Sequence, residues 1–158
     1  MTDLALQWNA ETVSADLLLM GGGLATDDSL RTAILISLFT DARASEDAAL
    51  PEGGDDLRGW WGDQFAREAG PDAGSAEDRN RIGSLLWLFS RSKTLPAVLS
   101  GARRAAEDAL SWLVRDGVAA RVSVEVERQD QRLAIGIVLD RPTGPARQRY
   151  DFVWEASA

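Results

Sequence analysis

Apolar residues recur at two different periods along this chain, and the clearest pattern runs from Leu95 to Leu139. Val98, Leu99, Ala102, Ala106, Ala109, Leu110, Leu113 and Val114 are spaced by three and four, which puts them on one stripe of a long helix facing a core. Gly117 ends that helix, because glycine takes the left-handed cap conformation without steric cost. The period then switches to two. Val122, Val124 and Val126 alternate with polar residues, and after Gln129-Asp130-Gln131 a second alternation follows at Leu133, Ile135, Ile137 and Leu139. A strand hairpin is expected there, and Tyr150, Phe152 and Trp154 give a last strand beyond the turn at Arg141-Pro142-Thr143-Gly144-Pro145.

Upstream, Leu4, Leu6 and Trp8 predict an opening strand and Val13 to Met20 a second, punctuated by Asn9-Ala10 and Gly21-Gly22-Gly23. Thr26, Asp27 or Asp28 then caps a short helix carrying Leu30, Ala33, Ile34, Ser37 and Leu38. Because Leu35, Ile36 and Phe39 lie off that stripe, this helix is expected to be buried on two sides. Ile82, Leu85, Leu86 and Phe89 predict another helix, and Thr94 with Pro96 marks the start of the long one. The two form an antiparallel pair joined by a short turn. The fold class that results is α+β: helices packed on a small, mainly antiparallel β-sheet, in a single domain over 1–158.

Between Thr40 and about Asp78 the periodicity disappears. This stretch, 40–78, is rich in glycine and acids, and a structureless connection of such length is rare inside a compact domain unless it is functional or partly disordered. Its centre, Asp55-Asp56-Leu57-Arg58-Gly59-Trp60-Trp61-Gly62-Asp63, is unlike disordered chain because adjacent tryptophans are costly to leave in water. Neighbouring side chains on an extended backbone point to opposite faces. Either one tryptophan anchors the loop while the other meets a partner, or both pin the loop to the core.

Composition narrows the chemistry. The 158 residues include neither cysteine nor histidine, which removes disulfides, thiolate metal sites, cysteine nucleophiles and the commonest general base. No cofactor and no metal site is expected. A net charge of −8 argues against nucleic-acid binding, and no apolar run is long enough to predict a membrane span. The charge is uneven: residues 1–80 carry 16 acids against 5 bases, and 81–158 carry 9 acids against 12 bases. Such asymmetry suits docking against oppositely charged neighbours, as well as an ordinary solvated acidic surface. Glu46, Asp47, Glu52, Asp55, Asp56 and Asp63 invite a carboxylate-pair mechanism of the glycosidase kind, but spacing along a flexible loop says nothing about separation in space.

Four regions together carry a resemblance. Ser37-Leu38-Phe39-Thr40-Asp41-Ala42-Arg43-Ala44, then Leu50-Pro51 with Asp56-Leu57-Arg58-Gly59-Trp60-Trp61-Gly62-Asp63, then Gly83-Ser84-Leu85-Leu86-Trp87-Leu88 and Ala109 to Ala119, resemble the Mu-like bacteriophage baseplate protein family. More distantly, the order of elements is similar to the baseplate wedge proteins that initiate the contractile tail sheath. That resemblance implies a structural, non-enzymatic protein of the virion tail baseplate, assembled in the host cytoplasm. It implies six copies in the particle, binding other wedge proteins and offering a sheet edge to the first sheath subunits; the chain alone is expected to be a monomer. The wider family carries Glu-Pro-Arg after its first helix for wedge contact, where this chain reads Asp41-Ala42-Arg43. The residues implied in partner binding are Arg43, Arg58, Trp60 and Trp61 for the wedge, and Tyr150, Phe152 and Trp154 on or beside the edge strand. A lysozyme-like enzyme using the loop carboxylates is the alternative.

Overall fold

Three glycines in a row after Met20 and an asparagine at position 9 allow the first thirty residues to fold back on themselves twice. A computed structural model describes residues 3–12, 14–51, 53–62, 82–90, 96–130, 132–144 and 146–155. Gly21 and Gly22 both have positive φ (60° and 84°), the geometry of a two-residue hairpin turn that matches the twist of the flanking strands. At the other bend the Asn9 side chain accepts hydrogen bonds from the amides of Glu11 and Thr12.

The three chain passes do not form a flat sheet. Each pairs with a different neighbour on its two halves. β1 (Asp3–Leu4) pairs with β6 (Thr26–Asp27), β2 (Leu6–Asn9) with β3 (Ser14–Leu17), and β4 (Leu19–Met20) with β5 (Gly23–Leu24), all antiparallel. At the centre the bonds run in a ring. The Ala5 amide donates to the Ala25 carbonyl, the Ala25 amide to the Leu18 carbonyl and the Leu18 amide to the Ala5 carbonyl, at 2.8–2.9 Å. This three-way junction satisfies backbone groups that a partner switch would otherwise orphan.

Helix α1 (Arg31–Phe39) follows directly. Asp27, four residues ahead of it, accepts from the amides of Ser29 at 2.8 Å and Thr32 at 3.1 Å, so it caps the helix from outside. Burial works against the Asp27 carboxylate, but the hydrogen bonds from Ser29 and Thr32 outweigh it and hold the pKa below the ordinary aspartate range. Ile34, Leu35 and Leu38 are buried, whereas Ile36 reaches solvent. The buried Thr32 hydroxyl accepts from the Leu6 amide and donates to the Leu4 carbonyl, fastening the strand junction to the helix.

The larger sheet is the expected meander. β7 (Arg121–Gln129), β8 (Arg132–Asp140) and β9 (Arg147–Glu155) are antiparallel, with β9 at an edge. Val124, Leu133, Ile135, Ile137, Leu139, Tyr150, Phe152 and Trp154 are buried on one face. Over it lie α1 and helix α2 (Pro96–Ala109), which begins on the proline that the sequence marks and buries Ala102, Ala105 and Ala106. Phe39 stacks on Trp8 at 3.9 Å and meets Phe152 edge-on at 5.8 Å, joining the junction, α1 and β9 in one aromatic column.

Two expectations change. The long helix breaks after Ala109 and resumes as α3 (Trp112–Arg115), because bonds such as Ser111 to Asp108 tighten the turn between them before Gly117 (φ 71°) ends it. The helix expected over Ile82–Phe89 is only a 3-10 turn at Leu86–Phe89. Gly83 (φ 103°) and Ser84 are instead drawn into a parallel bridge with Asp41. Thr94, expected to precede α2, lies outside the described residues.

Asp27→Ala is expected to cost about 1 kcal/mol in chemical denaturation at pH 7. Because the folded-state pKa is lowered, that contribution is present above the unfolded aspartate value and disappears as pH falls through the folded one. Wild type and variant therefore converge in stability in strong acid.

Candidate functional site

The chain between α1 and the 3-10 turn is held by backbone rather than by regular structure. The Ser84 amide donates to the Thr40 carbonyl at 2.9 Å and the Ala42 amide to the Ser84 carbonyl at 3.0 Å. The buried Ser84 hydroxyl donates to the Leu38 carbonyl at 2.6 Å and accepts from the Leu86 amide. A side chain at Gly83 would put its Cβ 2.4 Å from the Thr40 oxygen, so the approach is open to glycine alone. The Trp87 indole then donates to the Ala42 carbonyl at 2.8 Å.

Onto this extended 41–44 segment the tryptophan-bearing loop is clasped from the other side. The Ala44 amide donates to the Leu57 carbonyl, and the Arg58 guanidinium reaches Asp41 at 2.8 Å while lying 4.6 Å from the centre of the Trp87 ring. Asp56 accepts from the Arg58 amide, supporting a turn in which Arg58 (φ 51°) and Gly59 (φ 112°) both take left-handed backbone. Gly59 has no room for a Cβ, which would sit 2.9 Å from that of Arg43. The Trp60 ring lies against the buried Gly62, where a Cβ would fall 2.0 Å from it.

The two tryptophans end up in different surroundings. Trp60 is half-buried, and Trp61, tilted against it at 5.1 Å, is 70% exposed. Arg58 belongs to the clasp. Arg43 makes a long hydrogen bond to the Arg58 carbonyl at 3.4 Å and borders a groove of about 270 Å³ that Ser84, Asp108, Trp112 and Arg115 also line. Thus Arg43, Arg58, Trp60 and Trp61 are brought to one region, with Arg43 and Trp61 exposed and Arg58 and Trp60 half-buried. Of the carboxylates weighed for catalysis, Asp56 serves the clasp, and Glu52 and Asp63 lie outside the described residues.

Tyr150, Phe152 and Trp154 lie elsewhere, with side chains buried beneath the sheet. What β9 offers on its open edge is backbone. The Arg141 amide bonds the Ala146 carbonyl, which sets the ladder phase so that the peptide groups of Arg149, Asp151 and Val153 point away from β8. The Trp8 indole already donates to the Val153 carbonyl at 2.8 Å.

Comparison with known proteins matches the sequence of this chain to a named group. Residues 30–146, which span α1, the clasp, α2 and the first two strands of the meander, match the model of the phage protein GP46 family. The chain belongs to the GP46 family. It is 43% identical over 145 residues to the baseplate protein gp46 of Escherichia phage Mu, covering 91% of this chain and 90% of that one. It is 41% identical over 151 residues to the Mu-like prophage FluMu protein gp46 of Haemophilus influenzae, covering 94% of each. No solved structure matches it.

Sequence reasoning found the tryptophan pair and missed what holds it. Ser84 and Gly83 read as part of a helical repeat, and the only signal against that was a glycine–serine pair opening an apolar run. Trp8 and Thr32, which bind the amino-terminal junction to the rest, carry no local signal because each acts on a distant backbone group.

The clasp separates structural from accessible residues. Gly83→Ala is expected to destabilise the fold by about 1–3 kcal/mol, since it needs both a disfavoured φ and displaced backbone. Trp61→Ala is expected to stay within about 0.5 kcal/mol of wild type in the same denaturation assay.

Proposed function

We propose that this chain is a structural component of a contractile phage tail baseplate, acting through protein contacts. Family membership and the baseplate assignment of the Mu relative's name support the baseplate role. The single observation that carries the contact role is Trp61, a large aromatic group 70% exposed beside the Arg58–Asp41 clasp and the close approaches at Gly59 and Gly62. Aromatic and arginine side chains dominate the energetics of protein interfaces. An anchored loop presents one at little entropic cost.

In the finer reading, Trp61 and Arg43 meet a wedge protein, with Arg58 and Trp60 holding them in place. Asp41-Ala42-Arg43 takes the place of the wider family's Glu-Pro-Arg, but here the acid pairs with Arg58, leaving Arg43 directed at the groove. The β9 edge receives a strand from the tail sheath by backbone pairing at Arg149 and Asp151, where peptide groups point outward. Tyr150, Phe152 and Trp154 contribute by fixing that edge from beneath. The chain is a monomer alone and joins the baseplate in six copies.

Co-expression with the neighbouring wedge protein, followed by size-exclusion chromatography with mass determination, tests the first contact. A stable complex is expected for wild type, weakened at least tenfold by Trp61→Ala; an equally stable complex in the variant would remove Trp61 from the interface. For the second contact, Asp151→Pro deletes an amide that faces away from β8 within the proposed pairing stretch. It is expected to leave the monomer folded and to abolish sheath attachment. Normal sheath attachment would exclude strand addition at β9. Cell-wall clearing by pure protein would restore the enzymatic alternative.

A further inference from the structure

Of the large apolar side chains that reach solvent among the described residues, Leu4, Leu17, Leu19, Met20 and Leu24 all belong to the amino-terminal strand junction. The pairing sorts its side chains by face. Leu6 lies opposite Leu17, Trp8 opposite Ala15 and Leu19 opposite Leu24, so each of these pairs shares a side of its ladder; Asp3 lies opposite Asp27 and Gln7 opposite Asp16. The inner members, Leu6 and Trp8, pack against the core. The outer members overhang it. Leu19 and Met20 are 70% and 68% exposed at the tip of a tight glycine turn, where folding alone gives no reason for two large apolar residues.

The arm is also held firmly. Thr32 grips both sides of Ala5 and Trp8 reaches Val153, so the overhang projects from an anchored base. Its charge identifies the occupant. Residues 1–30 hold five acids, Asp3, Glu11, Asp16, Asp27 and Asp28, and no lysine or arginine. Residues 96–155, which supply α2, α3 and the meander, carry nine arginines and nine acids. Residues 31–95 carry eleven acids and eight bases, so a second copy of this chain would bring to the arm acidic or balanced stretches and no net basic one, and none of these complements it.

The geometry points to the junction tip, with Leu19 and Leu24 on one face of the ladder, Met20 on the other and Leu17 beside them, as an element that docks into an apolar groove bordered by lysine or arginine on a different baseplate protein. This rests on the baseplate role and adds a third contact, independent of Trp61 and of the β9 edge. Burial of the four side chains supplies the affinity, and the surrounding carboxylates select the partner and speed its approach.

The test uses the full chain and each of the other baseplate proteins of the same phage, purified singly, with binding measured at 50 and 300 mM salt. The variants are Leu19→Ser with Met20→Ser, and separately Glu11→Lys with Asp16→Lys. All four positions are exposed, so unchanged circular dichroism and melting are expected to show that both variants fold. One basic-surfaced baseplate protein is expected to bind wild type, to bind each variant at least tenfold more weakly, to bind severalfold more weakly at the higher salt, and to bind Trp61→Ala unchanged. Affinities that stay within twofold of wild type for every baseplate protein would overturn the docking surface while leaving the Trp61 contact standing. A wild-type self-association that the Leu19 and Met20 changes abolish would overturn it too, by making a second copy the occupant.

Discussion

The structure depends on covering the one apolar face of the β7–β9 meander. Three strands bury Ile135, Ile137, Leu139, Phe152 and Trp154 on a single side, and a small sheet with that face bare has no independent stability. Helix α2 covers it along β7, and α1 with the aromatic column of Trp8, Phe39 and Phe152 covers it towards β9. Each buried aliphatic side chain adds about 1.5–3 kcal/mol. The elements that hold α1 in place are therefore as necessary as the helix itself. Asp27 caps it, Thr32 joins it to the strand junction, and Ser84 fixes the carbonyl of Leu38 near its end.

The same fastening explains how accessible groups are displayed without being mobile. The clasp ties Arg58 to Asp41 and Trp87, and the close approaches at Gly59, Gly62 and Gly83 restrict the backbone around it. Trp61 is what remains outside. At the opposite end of the first helix, hydrogen bonds to Thr32 and Trp8 set the base of the junction and leave Leu19 and Met20 beyond it. An interface residue held this way loses little conformational entropy when it binds, so more of its buried area is expressed as affinity.

Periodicity was enough for the elements whose partners are local or continuous. The valine-rich hairpin, the Pro96 start, the Gly117 stop and the Gly21–Gly22 turn were all legible because the physical requirement at each is met by nearby residues. The 3-10 turn at Leu86 was not, since Ile82, Leu85 and Phe89 fit a helical repeat and only the distant Thr40 carbonyl makes Gly83 extended. The tryptophan pair was visible as a site, but which ring is exposed depends on Gly62 lying under Trp60. Tyr150, Phe152 and Trp154 were legible as a strand at an edge, and alternation alone does not say that their face is the covered one.

The central claim is that this chain works through side chains projecting from a core that stays unchanged on assembly. Amide hydrogen exchange, compared between the isolated chain and the chain within assembled baseplates, tests it most directly. Slower exchange is predicted across Asp56–Gly62, with the central strand β8 unchanged. Unaltered exchange over Asp56–Gly62, or a change dominated by β8, would contradict the account.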